Sequence, residues 1–246
     1  MNCVIVDNSN TRTKFALISS GKVVELRVIK TADVTEESVK DVLRGWSFDR
    51  VAVCSVVPHA AEQIAKACCG AEVQFLTPFM PLTVDFSGYG GIQTLGADRV
   101  ANVLAAAHYQ HFPVVAVDMG TATTFDVVVE REGRAVFLGG VIAPGMSAFS
   151  SSLNGRTALL PAVASMPQGS VIGGTTQEAM AAAVRVGYPA LVSGILEEIE
   201  KELGEAVYVV VTGGDAAAVA SRMSRDCRIE PLLTLNGIAQ AFGMLE

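Results

Sequence analysis

Two short stretches of the chain carry the same chemistry. Val6-Asp7-Asn8-Ser9-Asn10-Thr11-Arg12-Thr13 lies near the start, and Val117-Asp118-Met119-Gly120-Thr121-Ala122-Thr123-Thr124 repeats its pattern 111 residues later. Each follows an apolar run (residues 3–6 and 114–117), carries Asp and then small, hydroxyl and amide side chains, and returns to apolar alternation. A tight hairpin of such residues exposes backbone N–H groups, and Asn, Ser and Thr add donors, so the turn forms a nest for phosphate oxygens. Arg12 and Lys14 add positive charge to the first copy. An ordinary polar hairpin uses the same residues; the second copy is what favours phosphate. There Gly120 permits close backbone approach, Thr121 and Thr123 offer donors, and Asp118 can hold a hydrated cation or an alkali metal.

Two further clusters carry chemistry. Leu95-Gly96-Ala97-Asp98-Arg99 opens a helix after a long loop. Asp98 in a first helical turn is by default a cap against the dipole, but Arg99 stands at the wrong end of a helix for a cation. A site that offers a carboxylate to a substrate hydroxyl and a guanidinium to a substrate carboxylate needs such an adjacent pair. A weakly basic Asp suffices for phosphoryl transfer, where the transition state is loose and positioning dominates. In Val211-Thr212-Gly213-Gly214-Asp215 the glycines fit either an adenine ring against backbone or simple packing at a helix start. His59, His108 and His111 share no ligand spacing, and neither a nucleophile elbow nor a Walker loop is present.

The elements that must position these residues follow from periodicity. Strands are predicted at 2–7, 12–19, 22–30, 50–57 and 72–76, with helices near 35–46 and 58–68, the latter begun by Pro58. A Pro/Gly-rich loop spans 78–96 and a helix runs from about 97 to 110. The order then repeats: strands at 113–119, 123–130 and 134–142, a helix near 145–154, and a helical region over 174–203 with Leu191, Ile195, Leu196, Ile199 and Leu203 as its apolar stripe. Strand 206–212, helix 214–224, strand 227–231 and helix 234–245 close the chain. Both halves read βββαβαβα, an α/β fold of two mixed sheets with flanking helices. The expected domains are 1–112 and 113–246, facing each other across a nucleotide cleft.

The composition agrees with a globular protein: of 246 residues half are apolar and 17% are charged. A net charge of −7 without any Lys/Arg-rich block argues against a nucleic-acid partner. No transmembrane helix is expected, and Asp7 and Asn8 interrupt any signal-peptide core. The five cysteines (Cys3, Cys54, Cys68, Cys69 and Cys227) show neither metal spacing nor a disulfide framework. Cys68 and Cys69 read as buried thiols at a helix end, and the protein as cytoplasmic.

The two turns, Gly96-Ala97-Asp98-Arg99 and Gly139-Gly140-Val141-Ile142-Ala143-Pro144-Gly145 occur in the order seen in type III pantothenate kinases, which the chain resembles over essentially its whole length. Thr157-Ala158-Leu159-Leu160-Pro161, Ile172-Gly173-Gly174-Thr175-Thr176 and Thr212-Gly213-Gly214-Asp215 continue the match. That family belongs to the sugar kinase, heat-shock chaperone and actin superfamily, so the resemblance implies duplicated ribonuclease-H-like domains. It implies phosphorylation of the 4′-hydroxyl of pantothenate by ATP with Mg²⁺, the first step of coenzyme A synthesis. Asp98 would accept the proton, and Gly96, Ala97, Asp98 and Arg99 would hold pantothenate, with Arg99 facing its carboxylate and Tyr89 lining the pocket. Asp7, Asn8, Ser9, Asn10, Thr11, Arg12, Thr13, Lys14 and Thr121 would bind ATP. Asp118 would coordinate a monovalent cation, K⁺ or NH₄⁺, and Thr176 would reach pantothenate from the partner subunit of a homodimer. The chain departs from the family where Ser9 replaces the usual Gly, Thr175 the usual Asn and Ala183 a Gly. The other classes in view are a related kinase acting on a sugar or acetate, and a nucleotide-binding regulator without turnover; the intact Asp7, Asp98 and Asp118 set argues against the latter.

Overall fold

The computed structural model describes residues 2–154 and 168–244, so the Thr157–Pro161 motif lies outside the described residues. The chain forms two compact units: Met1–Gln110 with Glu130–Leu138 and Leu232–Glu246, and His111–Val129 with Gly139–Pro231.

In the first unit, β1 (Asn2–Asn8), β2 (Arg12–Ser19) and β3 (Lys22–Lys30) make an antiparallel meander, and β4 (Arg50–Ser55) and β5 (Glu72–Phe75) add in parallel beyond β1. The sheet order is β3-β2-β1-β4-β5. Val4, Ile5 and Val6 are buried on both faces, as a central strand requires. Helix α1 (Glu36–Leu43) starts with a capping box between Thr35 and Ser38, and α2 (Pro58–Ala67) has Pro58 in its first turn. Val39, Leu43 and Ile64 from these helices meet Val4, Val6, Phe15, Val51 and Val53 in one core. Helix α3 (Ala97–Ala107) is buried almost throughout.

The second unit repeats this plan. β7 (Val114–Met119), β8 (Ala122–Arg131) and β9 (Arg134–Pro144) form the meander, with β10 (Tyr208–Thr212) and β11 (Arg228–Ile229) parallel beyond β7. The order β11-β10-β7-β8-β9 is the first sheet's order over again. The meander hairpins also match, since Ser20-Gly21 and Glu132-Gly133 both take positive φ, the turn that fits the strand twist. The tip of the β8–β9 hairpin groups with the first unit, where β9 begins beside the two-residue β6 (Val84–Asp85). Sequence periodicity misses β6 because two residues cannot show alternation.

Helix α4 (Met146–Asn154) follows β9. The run predicted as one helix over 174–203 is α5 (Thr176–Ala182), a wide π turn at Ala183–Gly187, and α6 (Tyr188–Leu203). Thr176–Leu203 is long and apolar enough to cross a membrane by composition, but Tyr188, Val192 and Leu196 are fully buried in the second unit's core. The short α7 (Ala216–Ala220) follows β10, and α8 (Leu233–Ala241) groups with the first unit. Cys68 is buried as expected, whereas Cys69, two residues beyond the end of α2, is exposed.

Candidate functional site

The first Asp turn is built from the end of β1. Asp7 is only 2% exposed, and its register partner across the hairpin is Lys14. The Lys14 ammonium lies 3.0 Å from one Asp7 oxygen, and the Ser9 hydroxyl donates to the other at 2.8 Å. Ser9 takes no left-handed backbone conformation, so the side chain in place of glycine is accommodated without strain. Its hydroxyl adds a donor that glycine lacks. Asn8 and Thr13 point inward: the Asn8 amide donates to the Thr13 hydroxyl at 2.7 Å, and Ser55 donates to Asn8 at 2.6 Å. Thr31 then ties the network to the turn by donating to the Ser9 carbonyl at 2.6 Å. Asn10, Thr11 and Arg12 are left exposed at the tip. The eight-residue turn thus divides into an exposed tip and an inner brace.

Asp98 stands in the first turn of α3 in the same unit. Its Oδ1 accepts the N–H of Arg99 at 2.8 Å. Gly96 makes room for this carboxylate, since a Cβ there would sit 2.5 Å from Oδ1. Burial pushes the Asp98 carboxyl above the usual carboxylate range; the Arg99 N–H opposes that shift, and the negative charge of Asp7 adds to it. Arg99 is 8% exposed, with its guanidinium 5.7 Å from the centre of the Phe137 ring. Tyr89 packs on the same ring at 5.1 Å and Phe86 at 5.4 Å. Phe137 therefore organises both Arg99 and Tyr89. No local signal marked it, because a single aromatic in an alternating strand reads as core.

The second Asp turn is locked by other segments of its own unit. Gly120 N–H donates to the Ala122 carbonyl at 3.0 Å, Gly145 N–H to the Thr121 carbonyl at 3.3 Å, and Asp215 N–H to the Met119 carbonyl at 3.2 Å. Added Cβ atoms would lie 2.2 Å from the Gly120 carbonyl oxygen at Gly145 and 2.4 Å from the Met119 carbonyl oxygen at Gly213. Gly213, with φ +99°, is thus a packing glycine, whereas Gly214 faces open space. Thr121 is exposed at the tip and Asp118 is half-buried. Thr123 departs from expectation: it is fully buried with its hydroxyl bound to Tyr188, so it is not a free phosphate donor. Its place in the alternation of β8 turns it into the core with Phe125. At α5, the Thr175 side chain accepts the Glu178 N–H at 3.2 Å, so Thr in place of Asn keeps the cap, and Thr176 is exposed.

The family model described as type III pantothenate kinase matches residues 3–198. Among curated proteins, the type III pantothenate kinase of Akkermansia muciniphila is 42% identical over 249 residues and 99% of each chain. That of Methylacidiphilum infernorum is 36% identical over 96% of this chain and 86% of its own. Among solved structures, a glucokinase from an Antarctic psychrotroph overlays with a TM-score of 0.53, covering 98% of each chain at 12% identity, a likeness of fold.

Proposed function

This chain belongs to the type III pantothenate kinase family and is an ATP-dependent kinase of pantothenate, the enzyme of the first step of coenzyme A synthesis, and we propose a division of labour among its residues. The observation that carries it is the Asp98–Arg99 pair, a carboxylate held by backbone N–H groups at the start of α3 beside a guanidinium steadied on an aromatic face. Asp98 accepts the proton of the 4′-hydroxyl as the phosphoryl group arrives. Arg99 faces the pantothenate carboxylate, Tyr89 lines the pocket, and Gly96 and Ala97 bring backbone close. The raised pKa of Asp98 makes it a stronger base than an ordinary aspartate.

Asp7–Lys14 and Thr121 hold ATP, with Asn10, Thr11 and Arg12 meeting phosphate oxygens while Asn8 and Thr13 brace the turn. Magnesium arriving with ATP would supply charge neutralisation at the phosphates. Among the described residues no cluster of three or more His, Cys, Asp or Glu offers a protein cage. Mg²⁺ held through phosphates and one or two carboxylates needs none, and Asp7 fits that use. Asp118, a hard oxygen donor with Oδ1 packed close to Gly213, fits a monovalent cation, K⁺ or NH₄⁺.

The working unit is a homodimer in which Thr176 reaches the partner's pantothenate. The exposed apolar side chains Val171 and Ile172, the latter 86% exposed and four residues before Thr176, support burial against a second copy. The duplication runs over 1–112 and 113–246, a reading the matching strand orders support even though α8 and the β8–β9 tip group with the first unit, and the enzyme works in the cytoplasm.

Purified protein given ATP, Mg²⁺ and pantothenate should release ADP and phosphopantothenate, faster with K⁺ than with Na⁺, and should sediment as a dimer. Absence of product under saturating ATP overturns the reaction; indifference to the cation overturns the role of Asp118. Ser9→Ala removes one donor from buried Asp7 and is expected to raise KM for ATP roughly 3- to 10-fold. Steady-state kinetics check this, with KM for pantothenate unchanged.

A further inference from the structure

The second Asp turn has one more tether, and it comes from outside the three glycine-containing segments. Thr123 is fully buried where β8 begins, and its hydroxyl lies 2.5 Å from the phenolic oxygen of Tyr188. The Tyr188 ring is itself fully buried, edge-on to Phe149 with ring centres 5.8 Å apart. Pro189, just after it, has no N–H for the carbonyl four residues back, and the helix widens into the π turn over Ala183–Gly187. Val184, Tyr188, Val192 and Leu196 then form one fully buried stripe, which carries the phenol to β8. Burial pushes the phenol above its ordinary range, so it keeps its proton at working pH and a hydrogen is always available to the pair.

The tether acts on both arms of the turn. Thr123 is the register partner of Met119, whose carbonyl also accepts the Asp215 N–H. Ala122, beside it, accepts the Gly120 N–H. With Thr123 held, both strands are fixed at the base of the exposed tip that carries Thr121. We propose that Tyr188 is a positioning residue for the nucleotide: its hydroxyl holds Thr123 so that Thr121 and the neighbouring N–H groups stand pre-set for ATP phosphates. This rests on the reading of the second turn as an ATP turn.

Tyr188→Phe keeps the ring and removes the oxygen. Its Kd for a non-hydrolysable ATP analogue, and its KM for ATP, should rise roughly 3- to 10-fold with KM for pantothenate unchanged. Thr123→Val should show the same loss, the double variant should be no weaker than either single, and Thr123→Ser, which keeps the hydroxyl, should bind like the native protein. If Tyr188→Phe does not fold, Thr123→Val against Thr123→Ser makes the same comparison. A lower Tm with native nucleotide affinity overturns the proposal, as do additive losses in the double variant. Thr121→Ala separates the two levels. Lost affinity there with none at Tyr188→Phe overturns the tether alone, whereas native affinity at Thr121→Ala overturns the ATP turn and the tether together.

Discussion

Asp98→Asn should yield an enzyme that is more stable and nearly inactive. Asparagine cannot accept the hydroxyl proton, so kcat should fall roughly 100-fold or more, while ATP binding stays close to native. The stability gain has a separate cause. In the folded protein the Asp98 carboxylate loses water and faces Asp7, and these effects outweigh the Arg99 N–H, since its pKa lies above the ordinary 3.8. The unfolded chain therefore releases the Asp98 proton at lower pH than the folded one does, and ionisation costs stability as pH rises from about 3.8 through the raised value. Replacing the group removes that cost at pH 7 and removes nothing near pH 3, where Asp98 is neutral in both states. Loss of the favourable charge at the α3 N-terminus opposes the gain by about 0.3–1 kcal/mol. Thermal melts of both proteins at pH 7 and pH 3, beside turnover, check the pair of effects. Native turnover would reassign Asp98 to capping the helix; a lower Tm at pH 7 would mean that burial is not what raises its pKa. In the native enzyme kcat/KM should fall on the acid side with a midpoint above 3.8, as a buried base requires.

What the sequence made legible was local. The two strand meanders, the Asp turns and the start of α3 follow from alternation, turn residues and capping, each decided within a few positions, and β1 to β3 appear within a residue of their predicted bounds. The duplicated sheet order follows from the same local pattern read twice. What stayed hidden depends on contacts distant in sequence. Phe137 gains its role only because the β8–β9 tip brings it to Arg99 and Tyr89. Thr123 looked like a donor by type, yet alternation from Phe125 sends it to the core, a parity available in the sequence and overridden by the hydroxyl-rich motif. The close packing of Gly145 and Gly213 was hidden because the carbonyls they approach lie about 25 and 94 residues away along the chain. The π turn before Tyr188 had one cue, Pro189, which marks a disturbed helix without saying how the disturbance resolves.

Gly145→Ala should damage ATP use severely by displacing the second turn. Its added methyl would lie 2.2 Å from the Gly120 carbonyl oxygen and 2.5 Å from that of Thr121, and both neighbours are backbone, which cannot rotate aside. Ordinary contact requires the turn to retreat by about an ångström, and overpacking of this kind costs about 1–3 kcal/mol. A displacement of that size at a phosphate-holding turn is expected to lower kcat/KM for ATP roughly 100-fold. Gly213→Ala should act alike, since its methyl meets the Met119 carbonyl oxygen at 2.4 Å and its φ of +99° disfavours any side chain. Gly214→Ala supplies the contrast. Its methyl meets nothing within 4 Å, so its Tm should stay native, and ATP affinity then reports on the ligand alone. If adenine slides against that backbone, affinity falls in a protein of unchanged stability; if Gly213-Gly214 serves only to start α7, affinity stays native. Equal losses of Tm at Gly145 and Gly214 would contradict the packing that makes the second turn rigid, because only one of the two methyls has a carbonyl in its way.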